Sequence, residues 1–429
     1  MFRQSPAFWA TFFYIFFEYV RPQSIYLWLD FAPWPKIFLF LAVGLTVLEG
    51  RIRFASKALW GSVAIFSLVI LASSVTAQFP ETSWENKDFW INWLLLMLIV
   101  GGGVKNRTEF ILHLLGFILW NLKMSQHGVQ GWVTSGFSFV DWGATGGPGW
   151  FHNSGEFGIE MCVFLPIVGY FTFGVWERLS KNRRIVMMAI LASALISIVA
   201  SSSRGAFLGA ACVAAWVVWR SPYRLRAILL VVPTIALTWL ILPEGNKARW
   251  RTAGEDPDSV RRLTYWKDGI KIAKEYPLLG IGYRNWLPYY RLHYNPKGEV
   301  PHNYLVEAAS ELGFTGLFVF VGMTGVFFWQ NGRTRQRVSV DSRNPDKVLW
   351  AMTYGLDGAM IGFLASGFFV TVLYYPYYWM NMSLCMAMAR ITEHAASPTG
   401  RRAIRPRSNS IAQVGSVVAP SAVASAKSP

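Results

Sequence analysis

The sequence predicts an all-α, polytopic helical membrane protein with about twelve transmembrane helices and one long periplasmic loop. Of its 429 residues, 53% are hydrophobic and only 15% are charged, whereas about 25% of residues are charged in an ordinary soluble domain. The apolar residues form blocks that are separated by short polar, proline-containing or basic stretches. Because lipid offers no hydrogen-bond partners to backbone amides, each block is expected to cross the membrane as a helix.

The apolar blocks define the predicted spans in chain order. Several are shorter than the roughly 20 residues needed to cross about 30 Å of hydrocarbon, so flanking aromatic residues are expected to complete them. The predicted spans lie near residues 7–20, 36–49, 58–76, 89–104, 109–121, 158–176, 184–201, 205–219, 225–242, 303–330, 349–371 and 374–391.

Basic residues in the short connections orient these spans. When the spans alternate from a cytoplasmic N-terminus, the basic connections at residues 51–57, 105–107, 178–184, 220–226 and 333–347 all fall on the cytoplasmic side. This is the positive-inside pattern, and miscounting a single span would destroy it. We therefore predict a multi-pass protein of the bacterial inner membrane with both termini in the cytoplasm.

The longest connection is charged and is assigned to the periplasm. Long loops are translocated largely regardless of charge, so its basic residues do not contradict the topology. The apolar spacing within residues 263–276 predicts a short amphipathic helix along the membrane surface. Beyond the last span, a Ser-, Pro-, Ala- and Arg-rich stretch predicts a disordered cytoplasmic tail attracted to anionic lipid. The predicted domains are residues 1–242 (about nine spans), 243–302 (periplasmic loop), 303–394 (about three spans) and 395–429 (tail).

Composition also excludes some classes of function. The formal net charge is +16, but Lys and Arg are dispersed and form no stripe with interleaved aromatic residues, so nucleic acid is not an expected partner. Cys162, Cys212 and Cys385 each fall inside an apolar block, and no residue cluster has metal-ligand spacing. Neither a disulfide framework nor a metal or cofactor site is therefore predicted.

Three motifs of the predicted periplasmic face contain candidate site residues. The first is Ser-Ser-Ser-Arg-Gly at residues 201–205, which joins two apolar spans and continues to Gly209 with the spacing that lets helices approach closely. An arginine at such a junction is costly unless it reaches water or an anion. Snorkelling or helix capping explains Arg204 equally well when it is taken alone, but the positive-inside rule disfavours arginine on this face.

The second motif contains Arg261 and Arg262 and is followed by Pro-Leu-Leu-Gly-Ile-Gly at residues 277–282. Guanidinium groups bind phosphate in a bidentate manner and stay charged at any workable pH. The alternative is a pair of arginines in a solvated loop, with Asp258 as their acidic neighbour.

The third motif contains His302 and Asn303 at the head of an apolar span. A free imidazole has a pKa of about 6.5, so it can accept a proton from an attacking hydroxyl near neutral pH. A lone interfacial histidine is more often structural. His302 stands out because it shares one predicted membrane face with both arginine motifs.

Together these motifs resemble those of the family of O-antigen ligases, O-antigen polymerases and related O-oligosaccharyltransferases. The resemblance rests on Ser-Arg-Gly at 203–205, on Arg-Leu-x-x-Trp at 262–266 with the stretch 277–282, and on the segment 302–316. Each motif alone is weak, whereas their order, spacing and shared side are fairly specific.

Two further segments point to a branch of this family. Residues 146–153 look like the pattern that precedes a span in the family, and Arg-Pro-Gln at 21–23 resembles the branch of ligases associated with exosortase systems. The stretch from His152 to Glu156 departs from the Asn-rich sequence expected there, which leaves the branch and the roles of these two residues open.

The resemblance implies a membrane glycosyltransferase that moves a glycan from undecaprenyl diphosphate to an acceptor hydroxyl, most commonly on lipid A core, at the periplasmic face. Fixed cations would stabilise the diphosphate as the glycosidic bond breaks, in place of a metal ion. Direct attack by the hydroxyl would invert the anomeric carbon. The implied catalytic residues are His302 as general base and Arg204 and Arg262 on the diphosphate, and the implied substrate-binding residues are Arg261, Arg284 and Asn303.

Some neighbouring residues allow more than one interpretation. Glu307 and Glu311 lie on one helix face, where they orient the imidazole, line a polar cavity, or pair with arginine or backbone groups elsewhere. Trp286, Tyr289 and Tyr290 are interface anchors by default, and the alternative is that they stack against sugar faces or the polyprenyl chain.

Three other functions remain as alternatives. An O-antigen polymerase and a protein O-oligosaccharyltransferase belong to the same family and differ in the acceptor. A polytopic transporter would use the intramembrane carboxylates as its pathway and often shows repeated halves. The distinctive residues here lie at one surface and favour an enzyme.

Overall fold

The computed structural model describes residues 4–137, 143–147, 153–221, 223–242, 244–251, 254–340 and 346–396. Within these ranges the regular secondary structure is entirely helical, which confirms the all-α prediction. The α-helices are α1 (Pro6–Tyr19), α2 (Pro22–Ile25), α3 (Trp34–Leu48), α4 (Lys57–Val75), α5 (Pro80–Glu85), α6 (Lys87–Leu96), α7 (Arg107–Thr134), α8 (Ser154–Val175), α9 (Lys181–Ala200), α10 (Arg204–Arg220), α11 (Arg224–Ile241), α12 (Glu244–Arg251), α13 (Pro257–Glu275), α14 (Trp286–His293), α15 (Tyr304–Val340), α16 (Lys347–Gly367) and α17 (Pro376–Ala396).

Each predicted span overlaps one of these helices, and several helices are suited to a membrane. In the part of the chain that the structure describes, 5 helical segments are long and apolar enough to cross a bilayer. The chain is therefore a multi-pass helical membrane protein, while the total number of spans, their sides and the domain limits stay predictions. The 5 segments are Lys57–Val75, Ser154–Arg178, Lys181–Ala200, Tyr304–Ser339 and Lys347–Gly367.

Small residues allow α8, α10 and α16 to pack closely at the centre of the bundle. A Cβ atom added at Gly362 of α16 would lie 2.5 Å from the carbonyl oxygen of Cys162 in α8. A Cβ atom added at Gly209 of α10 would lie 2.8 Å from the Cβ atom of Ser366. The close helix approach predicted from the spacing of Gly205 and Gly209 is therefore confirmed.

The segment between α11 and α15 has a small core of its own. Helix α13 covers and extends the helix predicted within residues 263–276, and its apolar side chains pack with those of α14 and the head of α15. Trp286 and Tyr290 stack in this core with their ring centroids 5.0 Å apart. Because Trp286, Tyr289 and Tyr290 are only 2%, 4% and 2% exposed, the interpretations as interface anchors and as a sugar-stacking surface are both wrong for these side chains.

The stretch at residues 277–282 docks onto a break in α15. The helix is interrupted at Gly313, where φ is 68°. Beside this break the carbonyl group of Glu311 accepts a hydrogen bond of 3.1 Å from the amide of Gly282. A Cβ atom added at Gly280 would lie 2.3 Å from the carbonyl carbon of Glu311, so only glycine allows the two backbones to approach this closely.

Two features predicted from the sequence lie outside the described residues. One is the part of the family-like segment at residues 148–152, which includes His152. The other is the predicted basic tail from residue 397 onward.

Candidate functional site

The start of α10 positions the first candidate arginine. Ser203 is the N-cap of this helix, and its Oγ accepts a hydrogen bond of 3.3 Å from a backbone amide of the first turn. Ser202 has a left-handed backbone with φ of 51°, which turns the chain sharply between α9 and α10. A Cβ atom on Gly205 would lie 3.0 Å from the carbonyl oxygen of Ser366, so this turn lies against the end of α16. Arg204 is therefore held at the junction of α10 and α16.

Arg204 reaches from α10 to the start of α13. Its Nη1 lies 3.1 Å from Oδ2 of Asp256, and its Nη2 donates a hydrogen bond of 3.2 Å to Oγ of Ser259. Burial raises the pKa of Asp256, but hydrogen bonds from Ser259 and Arg204 outweigh this effect and leave the pKa well below its ordinary value. Asp256 is therefore ionised at neutral pH and serves as a counter-ion for Arg204.

Arg262 lies on the second turn of α13 and has no such counter-ion. Its side chain is half-buried, and no carboxylate in the described ranges lies within ion-pair distance of its guanidinium. Burial, followed by the positive charge of Arg204, lowers the pKa of Arg262. A guanidinium nevertheless remains charged at neutral pH. The site therefore holds a partly desolvated positive charge that has no direct ion-pair partner in the described ranges, and Asp258 and Asp256 act on it only from a longer distance.

Arg261 lies at the rim of the site and contacts two carboxylates. Its Nη2 lies 2.7 Å from Oδ1 of Asp258, and its Nε lies 3.6 Å from Oε2 of Glu299. The side chains of Arg261 and Glu299 are 48% and 52% exposed. Because water screens both contacts, they contribute little to stability, and Arg261 can exchange these partners for a bound anion.

His302 lies in the turn before α15 and is held from two sides. Its backbone is left-handed with φ of 50°, a conformation that costs about 1–3 kcal/mol for a residue other than glycine. The amide of His302 donates a hydrogen bond of 2.8 Å to Oγ1 of Thr371. The preceding carbonyl group, that of Pro301, accepts a hydrogen bond of 3.0 Å from Nε1 of Trp266 on α13. The imidazole also approaches Glu299, whose Oε2 lies 3.9 Å from Nε2.

The charges around His302 keep its imidazole neutral. Burial, followed by the positive charges of Arg262 and Arg261, lowers the pKa of His302 to about 4. At neutral pH the ring is therefore a proton acceptor. Arg262 acts electrostatically on His302, and Arg204 acts on Arg262. The structure thus brings the three side chains predicted to be catalytic into one group, with Arg261 at its rim.

Arg284 belongs to a second group, at the base of the 277–282 stretch. Its amide donates a hydrogen bond of 3.0 Å to Oε2 of Glu311, and its guanidinium lies 4.5 Å from the ring centroid of Phe89 and 5.6 Å from that of Tyr374. Glu311 also accepts hydrogen bonds from the amide of Trp286 and the hydroxyl of Tyr374. Among the interpretations of Glu311, pairing with backbone groups is therefore correct. Substrate binding by Arg284 stays a prediction.

Asn303 is the N-terminal cap of α15. Its side chain is 2% exposed, and its Oδ1 accepts hydrogen bonds from the amides of Leu305 (2.8 Å) and Val306 (3.1 Å). This oxygen fixes the helix start next to His302. Substrate binding by Asn303 also stays a prediction.

Several residues that shape the site were not singled out by the sequence patterns. Asp256 before Pro257 is an N-cap signal, and it could have located the start of α13 and the partner of Arg204. Glu299 and Thr371 lacked any signal, because neither belongs to a motif and Thr371 is distant from His302 in sequence.

The arrangement combines fixed positive charge with a neutral base. Two guanidinium groups and a third at the rim suit a ligand that carries more than one phosphate. The imidazole suits an acceptor whose hydroxyl must lose a proton. Within the described ranges, no group of at least 3 His, Cys, Asp or Glu side chains is placed to hold a metal ion.

A comparison with protein families gives a match. A family model described as O-antigen ligase matches residues 187–321, from α9 to α15, and this segment contains Arg204, Arg262 and His302. The match confirms the family resemblance predicted from the sequence motifs. A search of curated proteins found no match to this chain.

Proposed function

We propose, from the premise that this chain carries an O-antigen ligase domain at residues 187–321, that it transfers a glycan from undecaprenyl diphosphate to an acceptor hydroxyl. The family supports a membrane glycosyltransferase of the ligase or polymerase kind. The proposed acceptor is lipid A core, and the proposed site of the reaction is the periplasmic face of the inner membrane. Lipid A core is preferred because ligation to it is the most common activity in the family that the motifs resemble.

The state of Arg262 is the observation that carries this proposal. Its guanidinium is half-buried, lacks a described carboxylate partner, and lies close enough to Arg204 for that charge to lower its pKa. Asp256 compensates Arg204, whereas Arg262 has no ion-pair partner among the described residues, so an anion bound between the two guanidinium groups would stabilise the charge on Arg262. A diphosphate supplies that anion, and its charge increases when the bond to the sugar breaks.

The reaction then needs only positioning, charge stabilisation and one proton acceptor. The imidazole of His302 accepts the proton of the acceptor hydroxyl, whose oxygen forms a bond to the anomeric carbon. The bond between this carbon and the diphosphate oxygen breaks with its electron pair, and Arg204 and Arg262 stabilise the resulting charge. Attack from the face opposite to the leaving group inverts the anomeric configuration.

Arg261 and Glu299 are proposed to respond to the donor. In the absence of donor, Glu299 lies between Arg261 and His302. A donor phosphate that binds Arg261 would displace the Glu299 carboxylate from Arg261. The carboxylate would then interact only with the imidazole of His302. Glu299 would then stabilise the imidazolium that forms when His302 takes the proton.

A complementation experiment in a deletion strain tests the proposed function. The strain carries wild type, Arg204→Ala, Arg262→Ala or His302→Ala, and surface lipopolysaccharide ladders are compared with the amount of lipid-linked donor. Wild type should restore the ladder, whereas each variant should insert normally, leave core lipid unglycosylated and let the donor accumulate.

The matched control is Arg251→Ala, which removes a 72% exposed cation from the same segment and should keep the ladder. A restored ladder with His302→Ala would remove the assignment of the general base. A ladder that persists in the deletion strain would contradict ligation to lipid A core.

A further inference from the structure

A second charged cavity lies far from the candidate site, between the start of α4, the second half of α15 and the end of α17. Its volume is about 330 Å³. The candidate site lies before the break of α15 at Gly313, and the helix after this break runs for roughly 25 Å before it reaches Gln330 at the cavity. On the topology predicted from the basic connections, this cavity faces the cytoplasmic leaflet.

The side chains around the cavity carry more positive than negative charge. Lys57, Arg333 and Arg337 line it, together with one carboxylate, that of Glu393. Nη1 of Arg337 lies 2.8 Å from Oε1 of Glu393, so these two charges compensate each other. In the described part of the chain, no carboxylate lies within ion-pair distance of Lys57 or Arg333. The guanidinium of Arg333 instead lies 4.8 Å from the ring centroid of Trp329.

The backbone at the cavity adds to this positive potential. Ser56 precedes α4 with a left-handed φ of 59°, and its Oγ donates a hydrogen bond of 2.7 Å to Oε1 of Gln330 instead of capping the helix. The first two residues of α4, Lys57 and Ala58, line the cavity. The positive end of the dipole of this 19-residue helix therefore lies at the cavity, where it adds to the positive charge of Lys57 and Arg333.

Exposed aromatic rings place the cavity at the level of lipid head groups. Trp329 and Phe54 line it and are 51% and 56% exposed. Tryptophan rings such as that of Trp329 collect at membrane interfaces, and basic pockets between membrane helices on the cytoplasmic side bind anionic head groups.

We propose that this cavity binds the phosphate of an anionic phospholipid head group, with Lys57 and Arg333 as its principal ligands. The phosphate would serve as the counter-ion that these two side chains lack among the described residues, and the acyl chains would lie beside Trp329 and Phe54. The binding chemistry, an anionic phosphate group, is shared by free phosphate in the cytoplasm. Lipid is the favoured source because the lining rings are exposed at the interface.

Lipid binding to the purified full chain tests this proposal. Thermal unfolding in detergent is measured while phosphatidylglycerol, phosphatidylcholine or inorganic phosphate is added. Phosphatidylglycerol should raise the unfolding temperature of wild type at lower concentration than phosphatidylcholine does. The variant Lys57→Gln/Arg333→Gln should need about tenfold more phosphatidylglycerol for the same shift, because two phosphate contacts are lost.

The matched control is Lys181→Gln/Arg183→Gln, which removes two exposed cations from the same predicted face at a distance from the cavity. Its response to phosphatidylglycerol should equal that of wild type. Arg333→Lys keeps the charge and should retain most of the response, which separates loss of binding from loss of folding.

Equal responses of the cavity variant and the control variant would overturn the proposal, and so would equal responses to the two lipids. Protection of wild type by inorganic phosphate alone, lost in the cavity variant, would support the phosphate site and overturn the lipid as its source.

Discussion

Some arginines at the two ends of this bundle have different surroundings. At one end Arg51 lies 3.0 Å from Glu109, with 5% and 4% of the two side chains exposed, and Arg335 contacts Asp357 in a similarly buried pair. At the other end Arg262 is half-buried without a described carboxylate partner. The first arginines are compensated within the protein, whereas the last one is left for a ligand.

This difference separates arginines that hold the fold from arginines that are available for chemistry. A guanidinium that leaves water needs a negative partner or several hydrogen-bond acceptors, because the desolvation of a buried ion costs several kcal/mol. Arg51 also pairs with a second carboxylate, because Oε2 of Glu49 lies 2.6 Å from its Nε. Four predictions test the comparison, beginning with the largest expected effect.

Removal of a compensated arginine should destabilise the fold strongly. Arg51→Met leaves Glu109 buried without its counter-ion, and breaking such a pair costs about 3–5 kcal/mol. The free energy of unfolding of the purified protein in detergent measures this loss. Arg183→Met, at an exposed position, should change it by less than about 0.5 kcal/mol. Equal effects of the two substitutions would mean that the buried pair does not hold the fold.

Removal of the uncompensated arginine should affect transfer instead of folding. Arg262→Ala should lower kcat for glycan transfer by about 10²–10³-fold, as expected when one fixed group that stabilises developing charge is lost. The unfolding temperature should stay the same or rise, because repulsion with Arg204 disappears. The kcat of Arg262→Lys should lie between those of wild type and Arg262→Ala, because lysine keeps the charge but loses the bidentate geometry. A loss of stability like that of Arg51→Met would make Arg262 a structural residue.

The half-buried pair of Arg204 and Asp256 at the candidate site should contribute less to stability than the buried pairs. Asp256→Asn keeps an N-cap oxygen for α13 but removes the counter-ion of Arg204. Because both side chains are 23% exposed, the free energy of unfolding should fall by less than about 1 kcal/mol. Without the negative charge of Asp256, donor phosphate competes with one fewer anion for Arg204, so KM for the donor should fall slightly. A rise in KM similar to that of Arg204→Ala would show that Asp256 is needed to orient the guanidinium.

The pH dependence of transfer should report the charges around the general base. The pKa of His302 is lowered to about 4, so the imidazole stays neutral above that pH. We therefore expect kcat/KM to fall only as the pH approaches this value. In Arg261→Gln a positive charge is removed, so the pKa rises and the acid limb should move to higher pH. An acid limb that stays in place would mean that His302 is not the titrating base. Arg251→Gln provides the control with the same change in net charge.

The fold was predictable where chemistry repeats along the chain. Apolar blocks predict helices because lipid permits little else, and the spacing of Gly205 and Gly209 predicts a close contact that the structure contains. The core around Trp286 was not predictable in this way. A segment that anchors a membrane surface and a segment that forms a small core can be equally rich in aromatic residues, and only the tertiary contacts distinguish the two.

The candidate site was predictable in part. Arg204, Arg262 and His302 were found because charged residues at the ends of apolar blocks are costly and therefore informative. Their partners were not found, since the contact of Glu299 with His302 and that of Thr371 with the same residue depend on how the turn before α15 is folded. The spacing of residues in the sequence does not predict the conformation of that turn.

The backbone at position 302 determines which replacement of the general base is informative. The backbone of His302 is left-handed, with φ of 50°. Alanine removes the imidazole and also disfavours this conformation, whereas asparagine tolerates the conformation and lacks a titratable ring. A library that samples this position should therefore recover asparagine as an inactive but well-inserted protein. His302→Asn paired with His302→Ala separates lost chemistry from a displaced turn.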